Sequence, residues 1–183
     1  MTPDKDALRA RARRERVPET MRREDAERLR RFLEWLPEEP GVCATYVSVE
    51  GEPDTVALVD ALVTRGWDVR LPVLRREPDW ARFDGWAAIR PAWRGIPEPT
   101  GTRLGAASLE EADVVVTSCL GVDREGYRLG VGGGWYDRAL AHRGAGPVLA
   151  WAREAEVCDV LPREPHDLPC DGWVTEAGVA WVH

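Results

Sequence analysis

The thirteen residues from Gly126 to Arg138 read Gly-Tyr-Arg-Leu-Gly-Val-Gly-Gly-Gly-Trp-Tyr-Asp-Arg and hold the densest set of chemically useful groups in the chain. Consecutive glycines let backbone N–H groups come close to an anion, and a helix starting just beyond them adds its positive end. Arg128 and Arg138 supply charge neutralisation, Tyr136 a phenol and Asp137 a hard oxygen ligand. Such a segment suits a polyphosphate. It is not a P-loop, because no Gly-Lys-Ser/Thr follows. It is not a dinucleotide fingerprint either: counting from Gly130, the place of the last glycine is held by Trp135. Taken alone, a glycine run also reads as a plain flexible turn.

The elements around this segment decide what it can do. Asp113 to Leu120 is apolar and β-branched, the pattern of a central strand buried on both faces. The glycine segment follows it, and a helix is expected from Gly134 to His142. In open α/β sheets ligands bind outside the carboxyl ends of the strands, which is where this order puts the loop. Upstream, a strand at Val42–Val47, a helix capped by Asp54 and stopped by Gly66, and a strand at Trp67–Val73 form a βαβ unit with a parallel pair. Residues 75–105 are rich in Pro, Gly and Trp and read as loop, with short strands about Arg82 to Ile89 and a turn at Gly95–Pro99. Val148–Trp151 and Gly172–Val174 read as further strands, with Val179–Val182 at an edge.

Residues 1–36 read as a helical arm of two helices. Thr2-Pro3-Asp4 is a start signal, and Lys5, Leu8, Arg9 and Ala12 then share one face. Pro18-Glu19-Thr20 breaks the run. The second helix carries an apolar stripe of Leu29, Phe32, Leu33 and Leu36 and ends at Pro37. Residues 1–31 hold eleven bases and seven acids, a balance of +4, which leaves −11 for the rest of a chain whose net charge is −7. A basic arm against an acidic body is either a solvated face or a place to meet an anionic ligand.

Composition bounds the rest. With 183 residues, 44% of them hydrophobic and 31% charged, the chain is expected to be one globular domain that stands without disulfides. The acidic balance argues against a nucleic-acid partner. No apolar stretch spans a membrane, and the charged N-terminus lacks a signal core, so a cytoplasmic protein is expected. Four widely spaced cysteines with no C-x-x-C argue against zinc, and Cys43 and Cys119 read as buried packing residues. His142, His166 and His183 form no catalytic set, and a monomer is the default. Of the 25 basic residues only Lys5 is a lysine, so a task needing an ammonium falls to Lys5 or the amino terminus.

The run from Val122 to Arg138, V-D-R-E-G-Y-R-L-G-V-G-G-G-W-Y-D-R, resembles the F-D-x-x-G-x-R-L-G-x-G-x-G-Y-Y-D-R signature of the 5-formyltetrahydrofolate cyclo-ligase (methenyltetrahydrofolate synthetase) family. Four more blocks in order are similar to that family: Lys5-x-x-Leu8-Arg9; Ser48 to Thr55 followed by Gly66 and Leu71-Pro72; Gly95-Ile96-Pro97-Glu98-Pro99; and Leu161-Pro162 through Asp167 to Thr175-Glu176. Together they cover nearly the whole chain. The resemblance implies a three-layer α/β/α sandwich with a mostly parallel, Rossmann-like (NagB/RpiA-like) sheet and the arm at residues 1–36 packed on it, all in one domain over residues 1–183.

It also implies a reaction. ATP, with Mg²⁺, drives 5-formyltetrahydrofolate to 5,10-methenyltetrahydrofolate through a phosphorylated formyl group, with release of ADP and phosphate. No protein nucleophile is needed, so the protein positions and neutralises. By resemblance Lys5 and Arg9 reach ATP phosphates, and Arg128, Leu129, Gly130, Val131, Gly132, Gly133, Gly134, Trp135 and Tyr136 wrap the triphosphate. Lys5, Arg128 and Tyr136 are the catalytic set. Val47, Glu52 and the stretch Val131 to Trp135 contact the folate, and Asp137 and Asp167 hold Mg²⁺. Two departures stand out: Trp135 replaces the family's first tyrosine, keeping a stacking face and losing a hydroxyl, and Val122 replaces an aromatic. A non-catalytic folate- or nucleotide-binding module on the same fold is the alternative. A sugar-phosphate isomerase or other acyl-group enzyme would need a dedicated base or nucleophile, and none is convincingly placed.

Overall fold

The computed structural model describes residues 4–182. Helices α1 (Lys5–Glu15) and α2 (Pro18–Trp35) come first, then β1 (Val42–Ala44), α3 (Val56–Thr64) and β2 (Asp68–Val73). Short strands β3 (Asp79–Arg82), β4 (Ile89–Pro91) and β5 (Pro97–Pro99) lead through a 3₁₀ stretch at Ala106–Glu111 to β6 (Val114–Ser118) and β7 (Val122–Asp123). The order ends with α4 (Trp135–Leu140), β8 (Val148–Trp151), β9 (Val157–Cys158), β10 (Gly172–Thr175) and β11 (Gly178–Trp181).

A seven-stranded sheet in the order β11-β10-β8-β6-β1-β2-β3 organises the chain. Its inner pairings are parallel, and only the edge strands β3 and β11 run antiparallel to their neighbours. Strand β6 is central and buried on both faces, which explains its unbroken apolar sequence. Val114 and Val116 pack with Phe32, Leu58 and Leu62 on the side covered by α2 and α3. Val115 packs with Leu109, Ala139 and Leu140 on the side covered by the 3₁₀ stretch and α4. The expected α/β architecture, helices on both faces of a mostly parallel sheet, is therefore present. Each buried leucine of α3 contributes about 1.5–3 kcal/mol.

From β1 the chain passes to β2 on one side and later to β6, β8 and β10 on the other. The strand order therefore reverses between β1 and β6. A switch point of this kind opens a crevice beyond the carboxyl ends of the strands.

Several boundaries differ from the sequence reading. Thr2 and Pro3 of the expected start signal lie outside the described residues, as does His183; α1 is capped by Asp4, whose carboxylate accepts from the Asp6 amide. The break between the two helices falls at Arg16–Val17, and Pro18 is already the first residue of α2, where its missing N–H costs nothing. Strand β1 stops at Ala44, the Thr45 amide makes the last bond to the Arg70 carbonyl, and Tyr46 and Val47 go on to the crevice. The expected strand near Arg82–Ile89 falls instead at Asp79–Arg82, and Pro97–Pro99, expected as turn, pairs with β4. Asp54 does cap its helix, accepting from the amides of Val56 and Ala57. Cys43 and Cys119 are buried, and all four cysteines are unpaired.

The arm's bases are paired partly within the arm and partly against the body. Arg28 of α2 is fully buried, donating to the Ala152 carbonyl at 2.7 Å and to Asp25, with Glu176 at 3.4 Å. Among the described residues no helix is long and apolar enough to cross a membrane.

Candidate active site

The crevice is a cavity of about 640 Å³, within the range of small-molecule sites. Its walls come from the carboxyl ends of neighbouring strands: Tyr46 and Val47 after β1, Leu74 to Arg76 after β2, and Ser118 at the end of β6. The Val49–Glu52 turn, the β4–β5 hairpin and the glycine segment complete it. Val47, Glu52, Arg128, Gly130 to Tyr136 and Asp137 all reach this one space. Lys5, Arg9, Leu129 and Asp167 stand outside its wall.

The glycine segment is held from below by Asp123, which is fully buried. One carboxylate oxygen accepts from the amides of Glu125 and Tyr127, and the other from Leu161. Gly126 sits at φ +86°, and a Cβ there would run into the Cys170 carbonyl, so the turn requires glycine. Leu129 is core: its side chain packs with Leu120 and Leu161, and its amide already donates to Gly121. Among the described residues the amides of Gly130 to Gly134 have no hydrogen-bond acceptor, which leaves them free to meet an anion.

Helix α1 lies over this segment. Leu8 and Ala12 pack on the cluster of Leu120, Leu129 and Leu161. Arg9 Nε donates to the Gly130 carbonyl at 2.9 Å, and its guanidinium carbon lies 3.6 Å from where a Cβ on Gly132 would be. One turn away, Lys5 Nζ donates to Asp167 Oδ2 at 2.9 Å and to Glu164 Oε1 at 3.3 Å. Burial opposes the Lys5 charge, and its bonds to Asp167 and Glu164 outweigh it, leaving the ammonium pKa raised. Burial likewise opposes the Asp167 charge, and the Lys5 bond holds that carboxyl below its usual range.

Arg128 is buried beneath the loop. It donates to the Leu168 carbonyl at 3.0 Å and to Asp137 Oδ1 at 3.1 Å. Asp137 Oδ1 also accepts from the Leu168 amide at 3.2 Å, so the two expected metal ligands meet through adjacent residues, 167 and 168. Among the described residues Asp137 is engaged through Oδ1 alone, and no group of three or more His, Cys, Asp or Glu is arranged for a metal.

The opposite wall is aromatic. Trp135 stands edge-on to Trp80, 5.3 Å between centroids, and to Tyr136 at 5.2 Å. The hydroxyls of Tyr46 and Tyr136 and the indole N–H of Trp135 are buried without a hydrogen-bond partner. Burial pushes both phenols up, and the Glu52 charge adds to it. Burial also raises the Glu52 carboxyl, partly offset by the Val49 amide that bonds it at 3.0 Å and by Arg16. These residues line the cavity wall, and burying such groups unpaired is a cost.

Sequence reasoning missed Tyr46, Ser118 and Leu74 to Arg76 as wall residues. Their position at the ends of predicted parallel strands was the available signal. It also missed Arg16, which carries no motif.

Comparison with known proteins agrees with the geometry. Residues 1–176 match the model of the 5-formyltetrahydrofolate cyclo-ligase family. A 5-formyltetrahydrofolate cyclo-ligase of Mycolicibacterium smegmatis is 40% identical over 159 residues, covering 83% of this chain and 82% of that protein. The solution structure of Aquifex aeolicus 5,10-methenyltetrahydrofolate synthetase superposes with a TM-score of 0.83 at 30% identity, over 98% of this chain and 93% of the other. The Mycoplasma pneumoniae 5,10-methenyltetrahydrofolate synthetase, at 18% identity, shares the fold with a TM-score of 0.74 over 95% of this chain and 99% of the other. A match over nearly the whole length, on a fold whose crevice gathers the glycine segment and the Glu52 turn, makes this chain an enzyme of the 5-formyltetrahydrofolate cyclo-ligase family.

Proposed function

We propose that the chain cyclises 5-formyltetrahydrofolate to 5,10-methenyltetrahydrofolate at the expense of ATP, with Mg²⁺. The observation that carries this reading is the single cavity shared by the anion-ready amides of Gly130 to Gly134 and by Glu52 with its aromatic surroundings. A triphosphate lies along the glycine stretch under Lys5 and Arg9 of α1. The reduced pterin lies between Glu52, Val47 and Trp135, where the carboxylate accepts from pterin N–H groups and the indole offers a face.

The formyl oxygen attacks the γ-phosphorus, and the bond to the bridging oxygen breaks to give ADP. The neighbouring N10 then closes on the activated carbon, loses its proton, and phosphate leaves. The chain supplies positioning and electrostatics. Arg128, fixed by Leu168 and Asp137, keeps a permanent positive charge beneath the loop. The Tyr136 phenol stays protonated at all working pH values, which suits a hydrogen-bond donor to a phosphoryl or formyl oxygen and not a base. Asp137 and Asp167 fit Mg²⁺ by their chemistry: hard carboxylates, too few for a cage, as expected for an ion that takes most ligands from phosphate and water. When bound, the ion neutralises charge on the transferring phosphoryl group. The unpaired cysteines fit a reducing, cytoplasmic setting, and the chain is read as one domain acting as a monomer.

The test is direct. Protein, ATP, Mg²⁺ and 5-formyltetrahydrofolate should give the near-ultraviolet absorbance of methenyltetrahydrofolate, with one ADP per product. No ATP-dependent product across a range of pH and Mg²⁺ overturns the reading.

A further inference from the structure

Arg16 ends α1 at the joint with α2, and its side chain is 3% exposed. Its guanidinium makes four bonds to three separate stretches of the body. Nε donates to Glu156 Oε1 at 2.7 Å and Nη2 to Glu156 Oε2 at 3.2 Å. Nη2 also donates to the Cys119 carbonyl at 2.7 Å, and Nη1 to the Gly51 carbonyl at 3.1 Å. Gly51 sits in the turn that presents Glu52, and Cys119 leads from β6 into Leu120, which bonds Leu129 under the glycine loop. Glu156 continues the network: it accepts from the Arg153 amide, while the Arg153 side chain grips Glu24 of α2 and the Glu15 carbonyl.

A buried ion pair is seldom retained for stability, since apolar replacements of similar volume are often as stable. What this one supplies is connection. The desolvated guanidinium is satisfied only when α1, the Gly51 turn and the Cys119 carbonyl are all in place, so the pieces seat together or not at all. α1 carries Lys5 and Arg9 toward the nucleotide half of the cavity, and the Gly51 turn carries Glu52 toward the pterin half.

We propose that Arg16 is a positioning residue that couples these halves, so that ATP and 5-formyltetrahydrofolate each favour binding of the other. The inference rests on the proposed function, and its test separates the two. The Kd of a non-hydrolysable ATP analogue with Mg²⁺ is measured with and without saturating 5-formyltetrahydrofolate. In the wild-type protein the substrate should tighten the analogue by roughly 5- to 150-fold, the usual span of site-to-site coupling. Arg16→Met combined with Glu156→Gln removes both charges of the pair without leaving one buried alone. In it the ratio should fall below twofold while each single-ligand Kd changes less than the lost coupling. Arg16→Lys, which keeps the charge and cannot make the planar set of bonds, should show a ratio between the two and decides the matter where the paired variant does not fold. Coupling preserved in the folded variants, or absent from the wild type, overturns the inference. A wild type that binds neither ligand overturns the function itself.

Discussion

The two helices of the arm dock in opposite ways. α2 buries Met21, Arg28 and Phe32 and lies on β10 and β11, with Phe32 edge-on to Trp151 at 5.6 Å. α1 has no buried residue. Its first turns are held by Lys5 and Arg9 and by the half-buried Leu8 and Ala12 over the glycine segment, and its end is tied to the body through Arg16 and through Arg153 on the Glu15 carbonyl. The apolar helix is scaffold. The polar one rests on ion pairs and hydrogen bonds in place of a buried apolar face.

The largest effect that could break this contrast is on α2. Phe32→Ala should cost about 3–5 kcal/mol of unfolding free energy, read from the denaturant midpoint, because a wholly buried ring leaves a cavity between α2 and the sheet. The kcat of the folded fraction should stay near wild type. A loss below about 1 kcal/mol would put α2 among the peripheral elements.

Lys5→Ala should invert that signature. The partly exposed pairs with Asp167 and Glu164 are worth at most about 1 kcal/mol, so the denaturation midpoint should barely move. The KM for ATP should rise tenfold or more, about 1.4 kcal/mol of lost binding. Unchanged KM and kcat would show the lysine to be a surface charge. Asp137→Asn keeps an acceptor for Arg128 and Leu168 and removes the anion, so the Mg²⁺ concentration at half-maximal rate should rise by about tenfold. An unaltered Mg²⁺ requirement removes Asp137 as a ligand.

The same contrast explains what the sequence made legible. Elements with one dominant period, such as β6, β8 and α3, stand where the pattern puts them, because burial on defined faces leaves no other solution. Segment 75–105 was misplaced because β4 and β5 are three residues each, rich in proline, and exist only by pairing with one another. In the site, the glycine segment was readable from its own residues and Glu52 only through resemblance, and the two line one cavity. The roles of Lys5 and Arg9 rest on resemblance, since two charges a turn apart have no signature of their own. Arg16 was illegible for the same reason: it is one of eleven bases before residue 32, and only folding buries it.

The smallest effect lies beside that joint, at Glu52. Burial raises its carboxyl pKa above the ordinary 4.5, against the pull of the Val49 amide and Arg16. In the window between 4.5 and the raised value the folded chain binds more protons than the unfolded one, so stability falls as pH rises through it and stays lowered above. Glu52→Gln should therefore raise the Tm at pH 7 by at most a few degrees, and the gain should vanish below pH 4.5, where the carboxyl is neutral in both states. The KM for 5-formyltetrahydrofolate should rise in the same variant. A stability gain joined to a loss of substrate affinity is what a carboxylate kept for its ligand predicts. A stability loss at pH 7 would mean that the attraction of Arg16 outweighs burial and that Glu52, like α2, belongs to the scaffold.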